Sequence, residues 1–345
     1  MKPVLVRSSP EDASKIAAFL CQVFHAGPED AVARPEHMHW KYWAEREDWP
    51  GSRSFRLERE GVIVAHGAAW PSEVRPPSGP VLRGAQVIDW AGEPSAPGAG
   101  LALMKKIAPE YVDLIFALGG SEATRKILPV FGFKPFNEIL FFAKPLRPFS
   151  QVATHQRRDW RSPARLLRNL GWSWRSTRLA PGWTSRAVDG GEIRSWPEPG
   201  GGVTVLGRDA QRFRYFARCA SIRSQLYMVE RDGGEAGYFY LVFVPGQARV
   251  ADAWSTAGDV GSWMQIYALA ITRALEDRGT NEITAWAGLE SAQGGLAQCG
   301  FECRGRERLM IYDPQKALDP SARLHFQMVD NDAFFRHSGR AEYET

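Results

Sequence analysis

One order of events occurs twice along the 345 residues, and it constrains the fold more than any single motif. In the first half, Arg59-Glu60-Gly61 turns an alternating strand, Ser54 to Glu58, back into Val62 to His66. Asp89-Trp90 then closes a later strand, followed by a helix, an apolar strand from Val112 to Leu118, a further helix and Gly132-Phe133. In the second half, Arg231-Asp232-Gly233 precedes a strand from Tyr238 to Val244, and Asp252-Ala253-Trp254 stands where Asp89-Trp90 stood. A helix from Ser262 to Glu276, a strand from Glu282 to Trp286, a short helix and Gly300-Phe301 complete the copy. Strands alternating with helices predict an α/β fold, and a repeat of this length predicts two related halves. At roughly 150 residues per domain, the length agrees, with each half long enough to bury a core.

The start of the first half reads as a strand, Val4 to Arg7, then a helix capped at Ser9 that carries Ile16, Ala17, Leu20 and Phe24. Trp40, Tyr42 and Trp43 mark a second helical stretch. A strand from Val81 through Asp89-Trp90 ends in Pro97-Gly98-Ala99-Gly100, and a helix from Leu101 to about Ala108 follows at once. Such a junction gathers backbone N–H groups and the positive end of the helix dipole at one point, which suits a phosphate. The glycines let the anion approach the backbone closely. Taken alone, Gly-x-Gly also describes an ordinary strand-to-helix turn.

Over residues 1–146 the order of elements, the glycine loop after the fourth strand and the later Gly132-Phe133 resemble the GNAT acyltransferase superfamily. The resemblance implies two tandem GNAT-like domains, each a mixed central β-sheet flanked by helices. It also implies acetyl-CoA or another acyl-CoA as co-substrate: Gly98, Ala99, Gly100 and Leu101 would offer amides to the pyrophosphate, and the backbone of Ile88 and Trp90 would hold the pantetheine arm. Ser95 departs from the family pattern, which has Arg or Gln there. A general base and a tyrosine acid usually serve amine acylation in this family. Asp89 is the candidate base, with Glu122 and His66 behind it, but the tyrosine positions hold Leu128 and Leu296. In the second half, Asp259 in the corresponding loop would repel a phosphate, so this half is expected to have lost tight cofactor binding. Two functions stay open: an acyl-CoA-dependent N-acyltransferase acting on a small-molecule, sugar or aminoacyl amine, or a non-catalytic acyl-CoA-binding or regulatory module.

The expected division is 1–146 for the donor domain, 147–188 for a basic, aromatic linker, 189–316 for the degenerate domain and 317–345 for a tail docked on it, with a separate sheet in each half. The linker holds Arg157-Arg158, Arg165, Arg168, Trp172 and Trp174. Its helix Pro163–Leu170 could meet a membrane or nucleic acid, but its Leu and Trp side chains are expected to seal the domain interface. A net charge of +4 gives no global support for a nucleic-acid partner. His37 and His39 flank no third metal ligand, so no metal is expected. Four scattered cysteines and the lack of an apolar leader or spanning run point to a reducing cytoplasm.

Overall fold

The structure, a computed structural model, describes residues 3–27, 30–154, 160–175 and 178–345, without the side chains of 108–111. Arg157 and Arg158 lie outside the described residues. The first half runs β1 (Val4–Arg7), α1 (Ala13–Phe24), α2 (Pro35–Met38), β2 (Ser54–Arg59), β3 (Val62–Arg75), β4 (Leu82–Gly92), α3 (Ala99–Tyr111), β5 (Leu114–Ala117), α4 (Glu122–Ile127) and β6 (Lys134–Pro145). Two connecting helices follow, α5 (Pro148–Thr154) and α6 (Ser162–Ser173). The second half runs β7 (Trp183–Val188), β8 (Val203–Leu206), α7 (Ala210–Ala217), β9 (Arg223–Arg231), β10 (Gly234–Val244), β11 (Gln247–Ser255), α8 (Val260–Glu276), β12 (Glu282–Ala287), α9 (Glu290–Gln298) and β13 (Glu302–Tyr312). The tail adds β14 (Arg323–His325).

Local chemistry accounts for the repeated elements. Both hairpins turn on a pair of left-handed residues, Glu60 and Gly61 (φ 54° and 79°) and Asp232 and Gly233 (φ 51° and 82°). That backbone matches the twist of the flanking strands, and an acidic residue followed by glycine tolerates it. Helix α1 buries Ile16, Phe19 and Leu20, one stripe at helical spacing, and stops where His25 turns left-handed.

The expectation of two separate sheets is corrected. Among the described residues one path runs β1-β2-β3-β4-β5-β13-β6-β12-β11-β10-β9-β7. It is a palindrome of the two halves in which the last strands have changed places. β13 pairs with β5 (Met310 opposite Ala117), while β6 pairs with β12 (Leu140 opposite Ala287, Pro145 opposite Glu282). The exchanged strands also pair with each other, which closes the joint. No edge is left exposed in the middle.

A shared core fills the inner face. Trp40 stacks on Tyr215 of α7 at 5.1 Å and meets Phe335 edge-on at 4.9 Å, and Phe216 meets Phe334 at 5.1 Å. These rings seal the halves, in place of the linker. Leu166, Leu170 and Trp172 of α6 are half-buried and Leu167 is exposed, because α6 packs on α5 and the end of β6 instead of between the halves. The tail is not confined to the second half either: the indole of Trp70 in β3 donates to the Val329 carbonyl at 2.9 Å.

Candidate functional site

Strands β4 and β5 run parallel but pair only from Gly84 to Gln86, opposite Leu114 to Phe116. From Val87 onward β4 has no strand on that side among the described residues, so the two strands diverge towards the glycine loop. On its other side β4 pairs with β3 and bulges, the register slipping between His66–Ala91 and Ala68–Ile88. Asp89 sits in the bulge at φ 47°. A bulge re-aims side chains and backbone at one point of a strand.

At the open end, α3 begins at Gly98, which is left-handed (φ 82°) and offers no capping side chain. A Cβ on Gly98 would meet nothing within 4 Å. Gly100 has a different need: a Cβ there would lie 3.2 Å from the Trp90 indole nitrogen and 3.6 Å from the Gly92 amide nitrogen. The Trp90 indole donates to the Gly100 carbonyl at 2.8 Å, tying the end of β4 to the first turn of α3. Of the four expected amide donors, Ala99 is corrected, since its N–H is turned onto the Ala96 carbonyl at 3.1 Å. Gly98, Gly100 and Leu101 are at positions whose N–H groups lack an intrahelical partner. Unpaired N–H groups at a helix start suit an anion. Nearby, Lys105 lies over the Phe131 ring at 5.8 Å, whereas Arg125 and Lys126 pair with Glu307 and Glu122.

The inner face of the bulge holds a buried charge cluster. The Asp89 carboxylate receives the Lys41 ammonium at 2.5 Å and the Tyr42 hydroxyl at 2.6 Å, and Lys41 also bridges to Asp332 at 2.9 Å. Burial by itself would raise the Asp89 pKa. Lys41, Arg336 and the two hydrogen bonds outweigh it and hold the carboxyl well below its usual range. A closed-off carboxylate stabilised this strongly as an anion is a poor proton acceptor, so the geometry gives Asp89 the part of a counter-ion. His66 is equally enclosed. Its ring bridges the Ser54 hydroxyl (2.9 Å) and the Asp89 carbonyl (3.0 Å), and burial pushes its pKa down to about 4, so it braces the bulge as a neutral ring. Glu122 is a solvated helix-start residue paired with Lys126, and Leu128 is buried core.

The second half has matching geometry with its openings filled. β11 pairs with β12 only from Gln247 to Val250 and then diverges, with a bulge at Ala251. Here Asp259 caps α8 itself, accepting from the Ser262 amide at 2.9 Å and the Ser262 hydroxyl at 2.7 Å. These hydrogen bonds lower its pKa, so a permanent anion already stands at this helix start. The tail occupies the gap between the strands. His325 packs on Trp254 at 5.1 Å, and a Cβ on Gly288 would lie 2.7 Å from the Leu324 carbonyl oxygen. Asp252 repeats the charge pattern of Asp89, with Arg208 at 2.8 Å and the Tyr238 hydroxyl at 2.8 Å, and Arg208 bridges to Asp330 at 2.7 Å.

His37 is buried, bonded to the Ser221 hydroxyl at 2.8 Å, while His39 is exposed, so the two do not converge. No group of metal-ligating side chains is present among the described residues. No helix among them is long and apolar enough to cross a membrane.

No protein-family model matches the sequence, and no curated protein matches it. Solved structures do. A GCN5-related N-acetyltransferase from Anabaena variabilis superposes with a TM-score of 0.57 at 11% identity, over 90% of this chain and 73% of that one. Saccharomyces cerevisiae N-myristoyltransferase, solved with myristoyl-CoA, matches at 0.57 and 10%, over 99% and 87%. A tandem GNAT protein from the clavulanic acid biosynthesis pathway matches at 0.52 and 12%, over 90% and 98%. The chain, with its splayed fourth and fifth strands, is built on the GNAT acyltransferase fold.

Proposed function

We propose that the protein is an acyl-CoA-dependent N-acyltransferase, with the donor domain spanning 1–146 and a second domain, 189–316, that takes no cofactor of its own. The observation that carries this reading is the contrast between two equivalent helix starts. Gly98 leaves one open beside an unpaired stretch of β4, while Asp259 and the tail fill the other. Acetyl-CoA or a longer acyl-CoA would bring an activated thioester. The cradle at Gly98, Gly100 and Leu101 would hold its pyrophosphate, and the backbone of Ile88 to Trp90 its pantetheine arm. Asp89 enters this reading as a positioning residue that fixes the bulge.

The acceptor fits a cavity of about 400 Å³ on the inner face of β6, β12 and β11, roofed by the tail. Arg249, Arg304 and Arg336 line it beside Trp286 and outnumber the carboxylates of Asp332 and Glu344, which favours an amine that also bears an anionic group. Arg249 is held by the carbonyls of Ala333, Phe334 and Arg336 and by the Gln247 amide, with no carboxylate within salt-bridge distance among the described residues. The ion-paired Asp89 and the buried Leu128 favour a second reading, a binding module without catalysis.

Titration calorimetry with acetyl-CoA separates these readings from failure. One site, lost in Gly100→Glu and kept in Gly261→Glu, supports donor binding by the first half. Release of free thiol on addition of acceptor amines then supports catalysis. Two sites, or binding indifferent to Gly100→Glu, would overturn the assignment.

A further inference from the structure

Helix α6 and the turns at its two ends present an apolar stripe to solvent. Trp160, Leu167 and Trp174 are seven residues apart and 83%, 71% and 79% exposed, with exposed Ala164 and Gly171 between them. A soluble surface rarely gathers large side chains along one helical line. One position further round, Arg161, Arg165, Arg168 and Arg175 form a parallel stripe, and residues 160–186 contain six arginines and no carboxylate. Trp172, between Arg168 and Arg175, lies under the Arg168 guanidinium at 4.4 Å. The helix is fixed from behind: Asn169 donates to Gln151 at 2.9 Å, and Lys144 donates to the carbonyls of Trp172 and Arg175. At the far end of the stripe Arg175 pairs with Glu302.

We infer that this face of α6 docks the protein on an anionic phospholipid surface, a property separate from the acyl-transfer reading. The two stripes are complementary to the two layers of a membrane interface. Arginines meet headgroup phosphates, while Trp160, Leu167 and Trp174 enter the boundary below them, where indole rings are favoured. The arginines alone would also suit a nucleic acid, but a phosphate backbone would leave the Trp-Leu-Trp stripe uncovered. The occupant is therefore lipid.

The test is co-sedimentation of the full chain with phosphatidylcholine vesicles, with and without one-third phosphatidylglycerol, at low and high salt. Binding is expected only to the anionic vesicles and is weakened by salt. Each arginine removed should cost about fivefold, so Arg161→Gln with Arg168→Gln should lose roughly twenty- to thirtyfold. Trp160→Ser, Leu167→Ser and Trp174→Ser together should abolish binding while leaving the circular dichroism and the melting temperature unchanged, since all three side chains are exposed. Equal binding to neutral vesicles, or none to anionic ones, would overturn the inference. So would anionic binding that survives the triple serine variant, duplex DNA binding that survives it, or a dimer that it dissolves.

Discussion

Asp330 and Asp332, two residues apart in the tail, accept ion pairs from opposite halves of the molecule: Asp330 from Arg208 at 2.7 Å and Asp332 from Lys41 at 2.9 Å. Each cation in turn holds the aspartate at the bulge of its own half, Asp252 or Asp89. The duplication therefore extends to a buried triad, and the tail supplies the third member to both copies.

Breaking one triad should be far costlier than neutralising it. Lys41→Met leaves the Asp89 and Asp332 carboxylates without their shared cation in a buried site, and a loss of about 3–5 kcal/mol is expected by urea denaturation. Combining Lys41→Met, Asp89→Asn and Asp332→Asn should recover much of that loss. A triple variant as unstable as the single one would contradict this account.

Filling the open helix start should switch off donor binding. Gly98→Asp places in the first half the cap that Asp259 supplies in the second, and aspartate tolerates the left-handed backbone at a cost of about 1 kcal/mol. Acetyl-CoA binding by calorimetry is expected to vanish while the fold persists. Retained affinity would show that the phosphate lies elsewhere.

Turnover provides the check on Asp89. If it acts by positioning, Asp89→Asn measured per folded molecule should keep activity within about tenfold and leave the acid limb of the pH–rate profile in place. Loss of 10²- to 10⁴-fold together with that limb is the signature of a general base.

Acid should unfold the protein through its neutral histidines. Burial holds His66 at about 4 and His37 and His325 at about 3 in the folded state, below the 6.5 of the free side chain. Between those values the unfolded chain binds more protons, so stability is complete above pH 6.5 and falls as the pH drops towards 4. His66 alone should account for about 2 kcal/mol of the loss between pH 6.5 and 5. A flatter dependence in His66→Gln, from urea midpoints across this range, would confirm its share.

Local patterns made the repeat legible: the left-handed turns at Glu60-Gly61 and Asp232-Gly233, the glycine loop at 98–100 and the competing Asp259 could all be read from residue order. What lay beyond reading was set by distant contacts. Nothing near Met310 announces that it will face Ala117, so the strand exchange was invisible. The triads left a fainter trace. Lys41 stands inside His39-Trp40-Lys41-Tyr42-Trp43, and Asp330 and Asp332 lie between Met328-Val329 and Phe334-Phe335. A charge set among aromatic and apolar residues in this way signals a buried partner, although not which one. Asp89 reads in the sequence as a free carboxylate for the same reason, because its cation comes from another element.

The exchange of β6 and β13 also sets a timetable for synthesis. A ribosome delivers β5 long before the strand it pairs with, since Ala117 waits for Met310. Until then the nascent first half carries a bare strand edge, open to pairing with the wrong chain. Expression yield should accordingly depend on chaperone supply during elongation more than on the final stability of the finished protein.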